Sequence, residues 1–251
     1  MFSRRLWIGF VAAAAASLVA PAFAAGKGKI LVYSGSTGFR HDSIPTAVDA
    51  LKKIGAQAGY TVDATEDPEV FSADKLKDYK VLILVSTTTD PKKPESEWFT
   101  GSRLDALKGF LAAGKGVIGL HAAADSHYNT GWYGQMIGGY FDHHPKGTPQ
   151  ATVTVVDPKH PATAKLPKTA QRVDEWYYYK DLDPTLHVLI TVDPKSIGSG
   201  EPDVNANAIV WYHAFGGGRV FYSGLGHTNE SYGEPYIVDL LTGAIAYAAG
   251  R

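Results

Sequence analysis

The sequence predicts an α/β protein in which antiparallel strands extend a parallel, doubly wound core sheet. In the first half, short apolar runs typical of buried strands alternate with segments of helical periodicity, the pattern of a parallel sheet. In the second half, strand patterns follow one another closely and include a glycine-linked hairpin. No linker, repeat or low-complexity tract interrupts residues 25–251, so we expect a single domain there.

The first half supplies the parallel strands, which we predict at 29–34, 60–65, 79–86 and 114–120. A helix follows the first strand, because Asp42 or Ser43 can cap it and apolar residues recur behind them at helical spacing. A second helix is predicted near 102–113, where three leucines share one face. The predicted core of the sheet consists of Leu31, Val32, Leu82, Ile83, Leu84, Val117 and Ile118.

The second half changes character and supplies the added strands. We predict these strands at 151–156, 187–192, 208–215 and 219–223. The last two form a hairpin through the glycines at 216–218. A helix over 236–248, rich in Ala, Leu and Ile, closes the chain.

Residues 1–24 are predicted to be a signal peptide outside the fold. Arg4 and Arg5 precede an apolar run, and a small-x-small cleavage site ends at Ala24. The run is too short and too rich in alanine for a membrane span. We therefore expect export from a bacterial cytoplasm to the periplasm or the medium, with Ala25 as the first mature residue. The paired arginines leave the route open between the general secretory and twin-arginine systems.

Charge and composition exclude several functional classes. The formal net charge is −1 and becomes more negative when Arg4 and Arg5 are removed with the signal. We therefore expect neither a basic surface for nucleic acid nor a polybasic patch for a membrane. The chain has no cysteine, which excludes disulfides and every mechanism that uses a cysteine nucleophile.

The fourth predicted strand ends at a histidine. Residues 119–123 (Gly-Leu-His-Ala-Ala) have the spacing of a strand-to-helix elbow, where the central side chain is thrust out above the sheet. Open α/β sheets bind their ligands at the carboxyl ends of the strands. His121 is therefore a candidate site residue. The alternative is a histidine whose hydrogen bonds are satisfied by a neighbouring carbonyl group.

Two further segments carry possible chemistry at strand ends. His227 follows the last predicted strand through Gly-Leu-Gly, so that two imidazoles occupy equivalent positions. Residues 174–179 read Asp-Glu-Trp-Tyr-Tyr-Tyr, and in an extended segment Glu175 and Tyr177 share a face. A carboxylate beside aromatic rings is a familiar wall for a sugar, in which Trp176 and Tyr177 would contact substrate. Aromatic packing in the sheet core is the alternative.

Together, His121, Glu175 and His227 form a His-His-carboxylate set. Such a set can serve as catalytic acid and base or as ligands of a divalent metal ion such as zinc. Arg40 and His41, at a predicted helix N-terminus, add contacts for an anionic or hydroxyl-rich ligand, although a solvated loop is the alternative.

Adjacent histidines follow the glycines at 138 and 139. Neighbouring side chains in a loop rarely face one site, so at most one of the pair 143–144 is expected to contact ligand. We assign that substrate contact to His143.

Five motifs, taken in chain order, resemble the ThuA-like (trehalose utilisation) family. They are Gly-Phe-Arg-His-Asp-Ser (38–43), the Gly-Leu-His elbow, His-Pro (160–161), Asp-Glu-Trp-Tyr (174–177) and Phe-Tyr-Ser-Gly-Leu-Gly-His (221–227). The resemblance covers nearly the whole mature chain and implies a flavodoxin-like three-layer sandwich, similar to the class I glutamine amidotransferases. The family motif residues carried across are Arg40, His41, His121, Glu175 and His227.

The resemblance implies the scaffold and the place of the site, but it does not imply the glutaminase reaction. In the amidotransferases the elbow carries cysteine and a later His-Pro-Glu completes the triad. Here His121 occupies the elbow, and His227 is followed by Thr rather than Pro. His160 is expected to cap a turn rather than to contact ligand.

Two functions of different class remain open. The first is an exported enzyme of glycoside or keto-sugar catabolism, acting by hydrolysis, elimination or isomerisation through the His/Glu set. The second is a non-catalytic carbohydrate-binding protein on the same scaffold. In both, the ligand is a small carbohydrate or a carbohydrate derivative. Bound metal between converging imidazoles and a carboxylate favours the enzyme, whereas a metal-free aromatic cleft favours the binding protein. Homo-oligomerisation also remains open.

Overall fold

A computed structural model describes residues 26–198 and 208–251. The predicted signal peptide, residues 1–24, and the cleavage before Ala25 lie outside the described residues. The strands are β1 (Lys29–Tyr33), β2 (Thr61–Thr65), β3 (Tyr79–Val85), β4 (Gly116–Leu120), β5 (Tyr140–His143), β6 (Gln150–Val155), β7 (Thr169–Val173), β8 (Tyr178–Lys180), β9 (His187–Val192), β10 (Ala208–Phe215) and β11 (Gly218–Ser223). The helices are α1 (Ile44–Gln57), α2 (Ala73–Leu76), α3 (Gly101–Ala112), α4 (Gly131–Ile137), α5 (Pro194–Ile197) and α6 (Pro235–Ala248).

A nine-stranded mixed sheet forms the centre of the described structure. Its strand order is β2-β1-β3-β4-β11-β10-β9-β6-β7, and β5 pairs with β8 in a separate small sheet. The five adjacent strands β2, β1, β3, β4 and β11 run parallel to one another. This confirms the prediction that the runs 29–34, 79–86 and 116–120 are parallel neighbours. The seven predicted core residues are all at most 1% exposed. The apolar runs therefore form strands because both faces of the sheet are covered.

The antiparallel additions extend the sheet from β11 to its β7 edge. The predicted hairpin is confirmed as β10 and β11, and β9, β6 and β7 follow outward in antiparallel pairs. The sequence did not reveal β7, or the short pair β5 and β8, because these strands are brief and lack an apolar run.

Helices cover both faces of the sheet and complete the three-layer sandwich. Helices α1 and α6 pack on each other and on shared strands, while α3 and α4 contact β11. A Cβ at Gly116 would meet Ala248 of α6, whereas a Cβ at Gly119 would meet Ile137 of α4. Because Gly116 and Gly119 point to opposite faces of one strand, α6 and α4 lie on opposite sides. None of the helices in the described ranges has both the length and the hydropathy needed to cross a membrane.

Candidate functional site

His121 lies at the sharp turn where β4 ends. The strand is buried throughout, and the chain turns into a short 3₁₀ segment (His121–Ala123) directly after Leu120. The backbone of His121 is left-handed, with φ of +49°, although it carries a side chain. Such a conformation is sparsely populated and is retained at sites where the surrounding structure fixes it. The turn places a fully buried imidazole at the carboxyl edge of the parallel strands.

Hydrogen bonding fixes which nitrogen of His121 faces the site. Nδ1 lies 2.9 Å from the carbonyl oxygen of Gly224, and a carbonyl can only accept, so Nδ1 carries a proton. Nε2 then faces two other polar atoms, Oε2 of Glu175 at 3.3 Å and Nδ1 of His227 at 3.2 Å. An imidazole oriented by a backbone carbonyl through one nitrogen, with the other nitrogen directed inward, is the usual arrangement of a metal-binding histidine.

Glu175 and His227 approach each other as closely as each approaches His121. Oε2 of Glu175 lies 3.1 Å from Nδ1 of His227. Burial raises the pKa of Glu175, but hydrogen bonds with His121 and His227 outweigh it and hold the pKa below its usual value. The hydrogen bond with Glu175 raises the pKa of His227 in turn. Glu175 is therefore held as a carboxylate, and its hydrogen bond favours the protonated form of His227.

A buried carboxylate that the sequence did not reveal as a site residue holds these loops together. Asp174 is fully buried and accepts hydrogen bonds at 2.9 Å from the backbone N–H groups of Glu175, Gly226 and His227. The hydroxyl of Ser231 lies 3.4 Å from the same carboxylate. Asp174 thus sets the positions of two residues of the cluster without entering it. Its place directly before Glu175 was the only signal in the sequence.

His41 joins the cluster from the loop after β1. One ligand atom from each of His41, His121, Glu175 and His227 lies within 4.8 Å of the other three. Nδ1 of His41 is buried and finds no hydrogen-bond partner among the described residues. Burial, with the neighbouring His121 and His227, lowers the pKa of His41 to about 3. This imidazole is therefore neutral near pH 7, with a lone pair available to bind a cation.

The second oxygen of Glu175 contacts a histidine other than the one predicted. Nδ1 of His144 lies 3.2 Å from Oε1 of Glu175. His143, the predicted substrate contact, instead pairs with Asp142 at 2.8 Å and stacks on Tyr178. The register of β5, which ends at His143, turns the two side chains apart and brings His144 to the cluster.

The other predicted substrate contacts occupy different surroundings. Arg40 binds Glu66 through its two terminal guanidinium nitrogens, so its charge is paired with a residue outside the cluster. Trp176 is fully buried and donates to the carbonyl of Pro149, so it packs in the core and cannot form a substrate wall. Tyr177, 2% exposed, lies 4.4 Å from the His121 ring and supports it from within the fold.

Two smaller predictions concern the segment before β8 and the role of His160. Strand β8 starts only at Tyr178, so Glu175 and Tyr177 precede the strand rather than lying in it. Both side chains nevertheless reach His121, Glu175 through Oε2 at 3.3 Å and Tyr177 with its ring centroid 4.4 Å away. His160 lies elsewhere and accepts a hydrogen bond from the N–H of Ala162, in keeping with the expected turn cap.

The four-residue cluster offers the donor set of a zinc-type metal site. Three imidazole nitrogens and one carboxylate oxygen are ligands that zinc and related divalent ions bind in tetrahedral geometry. Bonds of about 2.1 Å in such a geometry place ligand atoms roughly 3.3–3.4 Å apart. The three close pairs among His121, Glu175 and His227 measure 3.1–3.3 Å. His41 adds a neutral imidazole, whose buried Nδ1 finds no hydrogen-bond partner among the described residues. The residues therefore fit a metal ion.

Comparisons with known proteins give the family and the fold relatives. The ThuA family, described as trehalose utilisation, matches residues 29–248. A ThuA-like protein from Bacteroides uniformis is 26% identical, with 91% of this chain and 95% of that chain covered and a TM-score of 0.71. For a ThuA-like protein from Parabacteroides merdae the identity is 19%, the coverage 89% and 90%, and the TM-score 0.67.

A glutamine amidotransferase from Thermotoga maritima is similar in fold alone. It is 11% identical, covers 90% of this chain and 100% of its own, and has a TM-score of 0.57. No curated protein matches the chain. The expected flavodoxin-like, amidotransferase-like sandwich is thus confirmed, and the match over residues 29–248 shows that the chain belongs to the ThuA (trehalose utilisation) family.

Proposed function

We propose that the chain is a metal-dependent enzyme of carbohydrate catabolism whose metal ion is bound by His41, His121, Glu175 and His227. The observation that carries this proposal is the convergence of four ligand atoms within 4.8 Å in a largely buried site. Because Nδ1 of His121 already donates to Gly224, its Nε2 faces Glu175 and His227 with a lone pair. Three polar atoms crowded at that spacing are held together by protons on the imidazoles or by a cation between them.

The residues around the cluster have distinct tasks in this proposal. A divalent ion supplies Lewis acidity, which polarises a carbonyl or hydroxyl oxygen and lowers the pKa of a bound water molecule. Asp174 keeps Glu175 and His227 in position. His144, with a side chain 35% exposed, connects the second oxygen of Glu175 with solvent and provides a group for proton exchange.

The family description supports the substrate class that we propose. This description, trehalose utilisation, supports a carbohydrate or an oxidised carbohydrate as substrate. We place the reaction among hydrolysis, elimination and isomerisation of a glycoside or keto-sugar, because each requires an oxygen function to be polarised and a proton to be moved. The signal-like sequence at 1–24 supports action in the periplasm or outside the cell.

Elemental analysis of the purified protein tests the proposal directly. We expect about one equivalent of zinc or another divalent transition metal, restored by dialysis against zinc after chelation. Glu175→Gln should weaken metal binding strongly, since it removes the only carboxylate among the four ligands. His143→Ala is the matched control, because it removes an exposed imidazole at the end of β5 without removing a proposed ligand.

Two results would count against this function. If wild-type protein binds no zinc, cobalt or manganese after reconstitution, the proposed metal site is wrong. Protein that binds metal and sugar but converts no glycoside or keto-sugar would instead point to the carbohydrate-binding alternative.

A further inference from the structure

Phe39 is a large apolar side chain displayed beside the proposed metal site. It is 67% exposed, more than any other large hydrophobic residue in the described ranges. Its ring meets the His41 ring edge-on, with centroids 4.9 Å apart. The two other strongly exposed apolar residues, Val156 and Val173, have 49% and 46% exposure and lie at the ends of β6 and β7. Phe39 therefore combines the greatest exposure with contact to a proposed metal ligand.

The loop that carries Phe39 is tied closely to the rest of the fold. Backbone N–H groups of Thr37 and Gly38 both donate to the carbonyl oxygen of Thr88. The hydroxyl of Ser36 donates within the same loop, to the carbonyl of Phe39. A Cβ at Gly38 would lie only 2.7 Å from the backbone of Thr89, so the close approach requires glycine. The exposure of Phe39 is thus set by a firmly docked loop.

The aromatic residues of the predicted substrate wall, Trp176 and Tyr177, are not accessible to a ligand. Trp176 is fully buried and Tyr177 is 2% exposed, so neither ring offers a free face. An exposed aromatic ring gains free energy when a ligand covers it, and the C–H face of a sugar ring is a ligand surface of matching shape and polarity. Phe39, in contact with His41 and mostly exposed, can supply such a face.

We propose that Phe39 is the stacking platform for a sugar ring of the substrate, an inference that rests on the proposed function. The platform lies beside the cluster rather than within it, because His41 separates Phe39 from His121: the successive ring centroids are 4.9 Å and 4.8 Å apart. A substrate that reaches both places contains two units, one at the cluster and one on Phe39. This arrangement fits a disaccharide, as the family description also suggests, or a glycoside with a cyclic second unit.

Sugar binding to the zinc-loaded wild-type protein and to Phe39→Ala tests the platform. The probes are trehalose, maltose and cellobiose, with glucose as the one-ring comparison, and calorimetry gives each dissociation constant. Loss of an aromatic stacking partner should weaken disaccharide binding roughly two- to twelvefold. Glucose affinity should stay within the error of the measurement. Phe39→Trp should restore disaccharide binding, because any aromatic face can stack.

The controls separate the platform from folding and from the metal site. Val173→Ala removes a comparably exposed apolar group on β7 and should leave every dissociation constant unchanged. Melting temperature and zinc content should match wild type in Phe39→Ala, since the side chain is largely exposed and is not a ligand.

The proposal is overturned in three ways. The first is Phe39→Ala protein that binds every disaccharide as tightly as wild type. The second is wild-type protein that binds none of the three disaccharides, and the third is a variant in which glucose and disaccharide affinities fall together. A different result separates the two proposals. If Phe39→Ala weakens disaccharide binding but neither protein takes up metal, the proposal for Phe39 is supported and the metal-dependent function is wrong.

Discussion

Two buried histidines of one segment, His121 and His127, share their most conspicuous features. Both side chains are fully buried. Both backbones are left-handed, with φ of +49° and +53°. By burial and backbone strain alone, each qualifies as a functional histidine.

Their partners differ. Nε2 of His127 accepts a hydrogen bond from the N–H of Phe99 at 3.1 Å, so the proton is on Nδ1, which lies 2.6 Å from the Ser126 hydroxyl. Its ring packs against Trp98 and Tyr133, with centroids 4.5 and 4.6 Å away. His127 is neutral and satisfied. Nε2 of His121 faces Glu175 and His227 instead, so converging acceptors, not burial or strain, distinguish the site.

The variant His121→Ala tests this comparison most directly and has the largest expected effect. Turnover should fall by roughly 10³-fold, because the variant removes a ligand of the ion that stabilises the transition state. Elemental analysis should show loss of the metal. The free energy of unfolding of the metal-free protein should change less than for a His127 variant, because the variant also removes one of several acceptors crowded together.

Kinetics, elemental analysis and urea denaturation of the same preparation check this expectation. A His121→Ala protein that keeps its metal and turnover but unfolds at lower urea would make His121 a second structural histidine, and the contrast with His127 would disappear.

The converse variant, His127→Ala, should lower the free energy of unfolding by about 2–4 kcal/mol. It leaves a cavity between aromatic rings and an unpaired N–H on Phe99. Metal content and turnover per folded molecule should be unchanged. Urea denaturation gives the stability, with the exposed His143→Ala as a control expected to change it by less than about 0.5 kcal/mol. Loss of metal in folded His127→Ala protein would show that the two histidines are coupled.

Acidification sharpens the comparison further, and its effect per pH unit is smaller than that of either substitution. Burial lowers the pKa of His127 to about 3, whereas in the unfolded chain it titrates at about 6.5. Below pH 6.5 the unfolded state therefore binds a proton that the folded state does not, and stability falls until the pH reaches about 3. The limiting slope for one such group is about 1.4 kcal/mol per pH unit.

The stability difference between wild type and His127→Ala should accordingly shrink as the pH falls from 6.5 towards 4. Other buried histidines, such as His41 and His160, titrate in both proteins and cancel from the difference. Urea denaturation at several pH values measures it, and a constant difference over this range would show that the imidazole of His127 is not held neutral by burial.

Strand ends were the part of the site that the sequence could predict. Apolar runs such as those of β3 and β4 fix strand position, and parallel order then places their carboxyl ends at one edge. This is why His121 and His227 could be placed together before the structure was known. Their proposed roles remain predictions, although the side chains do converge.

The positions of the loop residues could not be predicted from the sequence, because their orientation depends on contacts with distant segments. His41 was expected to contact ligand but lies in the cluster itself, and His144 rather than His143 reaches Glu175. The decisive contact for Glu175 is made by Asp174, whose partners Gly226 and His227 lie far along the chain. No local sequence pattern encodes such a pairing. Residue type alone also could not distinguish the buried Trp176 from the exposed Phe39.

The four proposed ligands come from four separate stretches of a chain that has no cysteine. A metal ion held by residues 41, 121, 175 and 227 would act as a removable cross-link that closes three long loops of the folded chain. Because such an ion binds the folded state and not the unfolded one, a hundredfold excess over its dissociation constant adds about 2.7 kcal/mol of stability. Chelation would then loosen the fold as reduction loosens a disulfide-bonded protein, and metal supply would set the lifetime of the protein as well as its chemistry.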